Sequence, residues 1–324
     1  MREAGLRASV FGFVALFAAI TSGHCQAQSG EAQSREPQSR DWRPMAANDK
    51  SALLYAVQIG TEDGLPLYAC RSAAGAGVLP GRFRSDFAGC HIAIGGKEIS
   101  VPTFEVLSSS WQDGAEGTVP PESFETGERA QLGPDAHFSL TMLSPCRARY
   151  QDSLQVGEVA PGDRGCSFGF AGREVTELKY EVLWRAPWLT WLPAIAQQLP
   201  IDAVAAGYEG GEPFYICRAS GYLGMHSGKV KRNATGCSIA SRGQEVVTTH
   251  FSVLVPLWLA GTAGSLPMAA LPVGYEKENL LYLCRAHIRH AAQVGKIADP
   301  LTSCHVGMLG GEIPSLAYEV LSER

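Results

Sequence analysis

The residues best suited to chemistry in this 324-residue chain are its nine cysteines. With Cys25 set aside, eight remain as four couples: Cys70 and Cys90, Cys146 and Cys166, Cys217 and Cys237, Cys284 and Cys304, each 20 residues apart. Cysteines in such numbers either oxidise to disulfides or hold zinc as thiolates. No Cys-x-x-Cys or Cys/His clamp of the zinc type occurs. Many disulfide connectivities are open to eight cysteines. The recurring interval favours the one that itself recurs, a link within each couple.

Other polar residues keep step with the cysteines. Arg71, Arg147, Arg218 and Arg285 each follow the first cysteine of a couple. Gly81, Gly157, Gly228 and Gly295 come 11 residues after it. Six and eight residues beyond the second cysteine stand Gly96 and Glu98, Gly172 and Glu174, Gly243 and Glu245, Gly310 and Glu312. The recurring Arg and Glu read as a structural ion pair or hydrogen-bond anchor, which sets geometry more than stability. His287 and His290 resemble a metal pair, but the other couples have no histidine at those offsets, so they read as loop residues. Asn233-Ala234-Thr235 is a glycosylation sequon. No Ser/His/Asp order, catalytic carboxylate pair or phosphate loop stands out, so the chain reads as a non-enzyme without cofactor or metal.

The elements that must position these residues are strands. Gly 36 and Pro 19 are too many breakers for a helix bundle and suit short strands joined by turns. Apolar residues alternate after each second cysteine, as in Cys90, Ile92, Ile94 or Cys166, Phe168, Phe170. That period of two puts cysteine on the core face of a half-buried strand. Each unit closes on an aromatic-x-Val-Leu tetrad: Phe104–Leu107, Tyr180–Leu183, Phe251–Leu254, Tyr318–Leu321.

Four such periods announce an internal repeat. Trp191 and Trp258 stand 26 residues before their cysteines, and Trp111 keeps the pattern with nine extra residues before Cys146. The units run 42–110, 111–190, 191–257 and 258–324. The expected class is all-β, in tandem sandwich-like, disulfide-stapled modules of two pseudo-symmetric units each. Neighbouring units pair in this reading, giving a first module 42–190 and a second 191–324, in line with a length of about two domains.

Hydrophobic residues at 45% and charged residues at 18% fit a globular chain. A net charge of -5 without a basic run argues against nucleic acid or an anionic membrane surface as partner. The uncharged stretch Val253–Val273 holds three prolines and two glycines and fits the repeat, so no integral membrane segment is expected there. Arg2 and Arg7, an uncharged run Ala8–Ile20 and the small residue Ala27 read as a signal peptide over 1–27. A lipid on Cys25 is the alternative, although His24 sits where a small residue is wanted. Residues 28–41, rich in Ser, Gln and Glu, read as a disordered leader. Location is then secreted or periplasmic.

The run Asp202–Glu209, with Gly207-Tyr208-Glu209 at its end, is followed by Phe214-Tyr215-Ile216-Cys217-Arg218-Ala219, Gly228-Lys229, Gly-x-Glu and the closing tetrad. This order resembles the DM-nine repeat, found in mannose-binding lectins of invertebrate immunity and in the lectin half of natterin-like toxins. The resemblance covers nearly all of 42–324 as four repeats. It implies β-rich modules of two repeats about a pseudo-twofold, with a mannose site made by an acid after Gly-Tyr and a lysine after the later glycine. Carried over, these are Glu209 with Lys229, Glu276 with Lys296 and, in unit 1, Glu62 with Arg82. Unit 2 departs, since Glu158 follows Gly157 and Ser144 replaces the aromatic residue; no site is expected there. The implied function is a secreted lectin for mannose or mannose-rich glycans. The alternative is a non-catalytic envelope scaffold or protein-interaction module.

Overall fold

The structure, a computed structural model, describes residues 41–49, 53, 55–132, 137–262, 265–298 and 303–324. The expected signal peptide, Cys25 and the leader up to residue 40 lie outside the described residues. Those described hold 28 strands and no α-helix, seven strands to a unit. Unit 1 comprises β1 (Trp42–Ala46), β2 (Gln58–Glu62), β3 (Leu65–Ala74), β4 (Gly77–Arg84), β5 (Cys90–Ile94), β6 (Lys97–Val101) and β7 (Thr103–Leu107). Unit 2 comprises β8 (Trp111–Ala115), β9 (Gly127–Leu132), β10 (Phe138–Tyr150), β11 (Ser153–Val159), β12 (Cys166–Phe170), β13 (Arg173–Glu177) and β14 (Lys179–Leu183). Unit 3 comprises β15 (Leu189–Ala194), β16 (Ala205–Glu209), β17 (Glu212–Gly221), β18 (Gly224–Val230), β19 (Cys237–Ser241), β20 (Gln244–Thr248) and β21 (Phe251–Pro256). Unit 4 comprises β22 (Trp258–Thr262), β23 (Pro272–Glu276), β24 (Asn279–Ile288), β25 (Ala291–Ala298), β26 (Cys304–Met308), β27 (Gly311–Ser315) and β28 (Ala317–Leu321).

The strands close into two eight-stranded antiparallel barrels with extra strands. One runs β4-β5-β6-β27-β26-β25-β24-β23 and returns to β4 through Tyr275 opposite Val78. The other runs β11-β12-β13-β20-β19-β18-β17-β16 and returns to β11 through Tyr208 opposite Leu154. Unit 1 therefore joins unit 4, and unit 2 joins unit 3. This corrects the expected modules 42–190 and 191–324: each of those halves holds one half of both barrels. All four units carry the same Gly-x-Glu turn, so any two could mate, and spacing alone does not say which do.

Those turns lock the mates. The Glu98 carboxylate accepts the backbone N–H of Gly310 at 2.9 Å, and Glu312 accepts that of Gly96 at 2.8 Å. In the other barrel Glu174 holds Gly243 at 2.6 Å and Glu245 holds Gly172 at 2.9 Å. The glycines supply the positive φ, 78–80°, that the turn needs.

The recurring Arg and Glu are accordingly not each other's partners. Arg71, Arg147 and Arg285 instead pair through Nε with Glu105, Glu181 and Glu319 of the closing tetrads, at 2.6, 2.7 and 2.5 Å. Each recurring arginine also lies over the opening tryptophan of its unit, 4.3–4.7 Å from a ring of Trp42, Trp111, Trp191 or Trp258.

All four couples form disulfides, Cys70–Cys90, Cys146–Cys166, Cys217–Cys237 and Cys284–Cys304, with Cα atoms 5.8–6.0 Å apart. The glycine 11 residues after the first cysteine lies opposite that cysteine on the next strand. A Cβ on Gly81 would run into the His91 carbonyl oxygen, so its absence lets β5 close up and the sulfurs meet.

The tetrad divides between two kinds of core. Its aromatic and valine residues, such as Phe104 and Val106, pack with the disulfide of their own unit. The leucines Leu107, Leu183, Leu254 and Leu321 turn the other way, into one cluster with Trp42, Ile59, Trp188 and Leu283 that all four units share. Burying each such side chain contributes ~1.5–3 kcal/mol. Val253–Val273 supplies parts of β21, β22 and β23, and no helix among the described residues is long and apolar enough to cross a membrane.

Candidate functional site

The barrels place equivalent positions of mated units side by side. In unit 3, Glu209 ends β16, Lys229 lies on β18 and Glu245 on β20. The neighbouring strands of unit 2 add Gln155 from β11, and Phe168, Gly169 and Phe170 from β12. Gln155 joins the acid to the base: its Nε2 donates to Glu209 Oε1 at 3.2 Å, and its Oε1 accepts from Lys229 Nζ. Lys229 Nζ donates also to the Gly169 carbonyl at 2.6 Å. Glu209 and Lys229 thus share a site without touching, and Lys231 Nζ takes the direct contact with Glu209 at 3.2 Å.

Around these groups is a cavity of ≈ 410 Å³ bordered by Phe170, Phe214, Glu209, Lys229, Lys231 and Glu245. Lys229 Nζ lies 4.8 Å from the ring centroid of Phe214 and 5.8 Å from those of Phe168 and Phe170. Burial pulls its ammonium down to about 8, against the opposing charges of Glu245 and Glu209. Glu245 is itself fixed by Ser238 Oγ and the Gly172 N–H.

The unit 4 pair does meet: Lys296 Nζ lies 3.1 Å from Glu276 Oε2. Its mate supplies Leu79 where unit 2 supplied Gln155. Here Glu312 takes a hydrogen bond with His305 Nδ1 at 3.0 Å. Lys296 is as buried as Lys229.

Glu62 and Arg82 of unit 1 also meet, at 2.7 Å, but in a filled network. Arg82 donates further to Glu98 at 3.0 Å and to the Gly307 carbonyl of unit 4 at 2.8 Å. Gln293 of unit 4 donates to Glu62 at 2.9 Å, and Phe87 lies 5.2 Å from the Arg82 guanidinium. Burial pulls the Glu98 carboxyl up, yet the hydrogen bonds from Gly310, His91 and Arg82 outweigh it and hold it below its usual value.

At the matching place in unit 2, Glu158 is buried and accepts from the Ser227 N–H at 3.0 Å. Its other oxygen meets His226 Nδ1 at 2.8 Å. Burial lowers the affinity of this imidazole for a proton, but the bond and charge of Glu158 outweigh it and raise its pKa. A protein side chain fills this position, and Gly127-Glu128-Arg129 stands where unit 3 has Gly207-Tyr208-Glu209.

Sequence reasoning missed Gln155, the Gly169 carbonyl and the phenylalanine walls, because they come from the mated unit. Gln155 and Gln293 do stand nine residues after their cysteines, a recurrence legible once units are overlaid. His287 and His290 lie exposed at the end of β24 and the turn after it.

The profile of the DM9 repeat matches residues 61–134, 141–248 and 211–315, most of the chain. The chain belongs to the DM9 repeat family. The second and third of its three matched stretches overlap, while the disulfides of this DM9 protein mark four structural units. No curated protein matches it. Among solved structures, the crystal structure of the nematode sperm cell motility protein MFP2B aligns with 87% of this chain and 97% of its own, at 11% identity and a TM-score of 0.19. That superposition is too loose to bear on function.

Proposed function

We propose that this DM9 protein binds carbohydrate, as a secreted lectin-like protein of four repeats rather than an enzyme, with mannose or a mannose-rich glycan as ligand. The observation that carries the reading is the unit 3 cavity, where carboxylates, an ammonium and aromatic walls border one space. A sugar offers hydroxyls that both donate and accept. Carboxylates such as Glu209 and Glu245 accept from them, Lys229 donates, and charge strengthens each bond. Phe170 and Phe214 offer apolar faces to the C–H side of a ring.

Glu276 with Lys296 forms the second site of this reading. Glu62 with Arg82 is better read as a lock between units 1 and 4, because Glu98 and Gly307 already occupy the arginine. The four disulfides are consistent with an extracellular location, which supports secretion.

Calorimetry of the mature chain with mannose tests this. Lys229→Ala with Lys296→Ala should remove most binding while the fold, followed by circular dichroism, survives. Binding equal to that of the native chain would place the ligand elsewhere. If no sugar binds the intact chain, the scaffold or protein-interaction reading takes its place.

A further inference from the structure

Lys229 differs from its counterparts in what holds it. Arg82 and Lys296 each touch a carboxylate, at 2.7 and 3.1 Å. Lys229 donates to two neutral oxygens, Gln155 Oε1 and the Gly169 carbonyl, and among the described residues no carboxylate forms an ion pair with it. A neutral amine has two N–H donors and one lone pair, so two acceptors satisfy it completely and leave the lone pair free. An ammonium there would keep a third donor. Lys229 is also buried, 6% exposed, and that burial penalises the charged form further. Lys229 also lines the cavity that Glu209 and Glu245 border.

We propose that Lys229 is a nucleophilic amine that captures small hydroxyaldehydes, the open-chain form of short sugars, as an imine in this cavity. The choice of hydroxyaldehydes rests on the sugar-binding reading; the reactivity of the amine does not. The Nζ lone pair attacks the carbonyl carbon, a C–N bond forms, and the C=O π pair moves to oxygen. The nitrogen passes a proton to a cavity carboxylate, which returns it to that oxygen and gives a carbinolamine. Expulsion of the hydroxyl as water, with its proton supplied by the same route, leaves C=N. No oxidant or reductant is consumed. The lowered pKa of Lys229 agrees with this role, since a reactive lysine needs a neutral fraction near neutrality.

The test is incubation of the native, disulfide-intact chain with glycolaldehyde and cyanoborohydride, followed by peptide mass mapping. The expected result is a reduced adduct on Lys229 formed roughly tenfold or more faster than on Lys97 or Lys179, a preference that vanishes in denaturant. Its rate should rise with pH and level off above about 8. Adducts spread evenly over the lysines, or absent from Lys229, would overturn the proposal. Equal trapping of propanal, which has no hydroxyl, would overturn the assignment to hydroxyaldehydes. Mannose calorimetry on the same preparation separates the two readings. Trapping without mannose binding removes the lectin and keeps the amine, and binding without trapping does the reverse.

Discussion

The Glu98 carboxylate of unit 1 accepts the backbone N–H of Gly310 in unit 4, 212 residues away in sequence. The return bond from Gly96 to Glu312 makes the contact reciprocal. A side chain that caps another unit's turn is worth more to assembly than to the unit that owns it. Glu174→Ala, which frees the Gly243 N–H, should therefore lower stability to denaturant by about 1–3 kcal/mol, and Glu174→Gln by less because an acceptor remains. Equal loss in both variants would show that charge, not the cap, matters.

Unit 3 lacks one member of the pattern. Ser252 stands where the other units have Glu105, Glu181 and Glu319, and Arg218 Nε is buried without a hydrogen-bond partner among the described residues. Ser252→Glu should supply the missing carboxylate and raise stability by about 1–2 kcal/mol. Thermal unfolding of the variant beside the native chain measures this. A lower midpoint would mean that the local packing cannot admit the side chain.

Much of this fold was legible in one dimension. Cys70 and Cys90 announced their link by spacing, and Phe104-Glu105-Val106-Leu107 announced a closing strand, although not that Leu107 turns to a second core. Which unit mates with which was not legible, because Gly96-x-Glu98 and Gly310-x-Glu312 are interchangeable with the turns at Gly172 and Gly243. The partner of Arg71 was missed for a related reason: Glu98 and Glu105 both recur, and only the strand register sets Arg71 opposite Glu105. The candidate site was half legible. Glu209 and Lys229 came from one unit, whereas the glutamine that bridges them came from the other.

The crossed pairing of units makes its own demand. Residues 42–190 and 191–324, made as separate chains, should each expose half of both barrels and half of the shared core around Trp188 and Leu321. Each alone should be poorly folded, and co-refolding should recover one complex with cooperative melting. Size-exclusion chromatography with circular dichroism decides it. Two independently folded halves would contradict the strand order described here.

If Lys229 holds sugar as proposed, binding and stability should respond to pH in opposite directions. Its folded pKa of about 8 lies below the ordinary 10.5, so between those values the unfolded chain holds the extra proton. Unfolding then takes up a proton, and stability rises as pH climbs from about 8 toward 10.5. The integrated gain is on the order of 3 kcal/mol before other groups contribute. Sugar affinity should move the other way, weakening as pH passes about 8 and the ammonium that donates to hydroxyls is lost. Denaturant titrations and mannose calorimetry across this window test both slopes on one preparation. Lys229→Met should flatten the stability slope in this window and leave only weak, pH-independent binding. A native chain whose affinity holds steady through pH 9, about a unit above that pKa, would show that the lysine's charge has no part in holding the sugar.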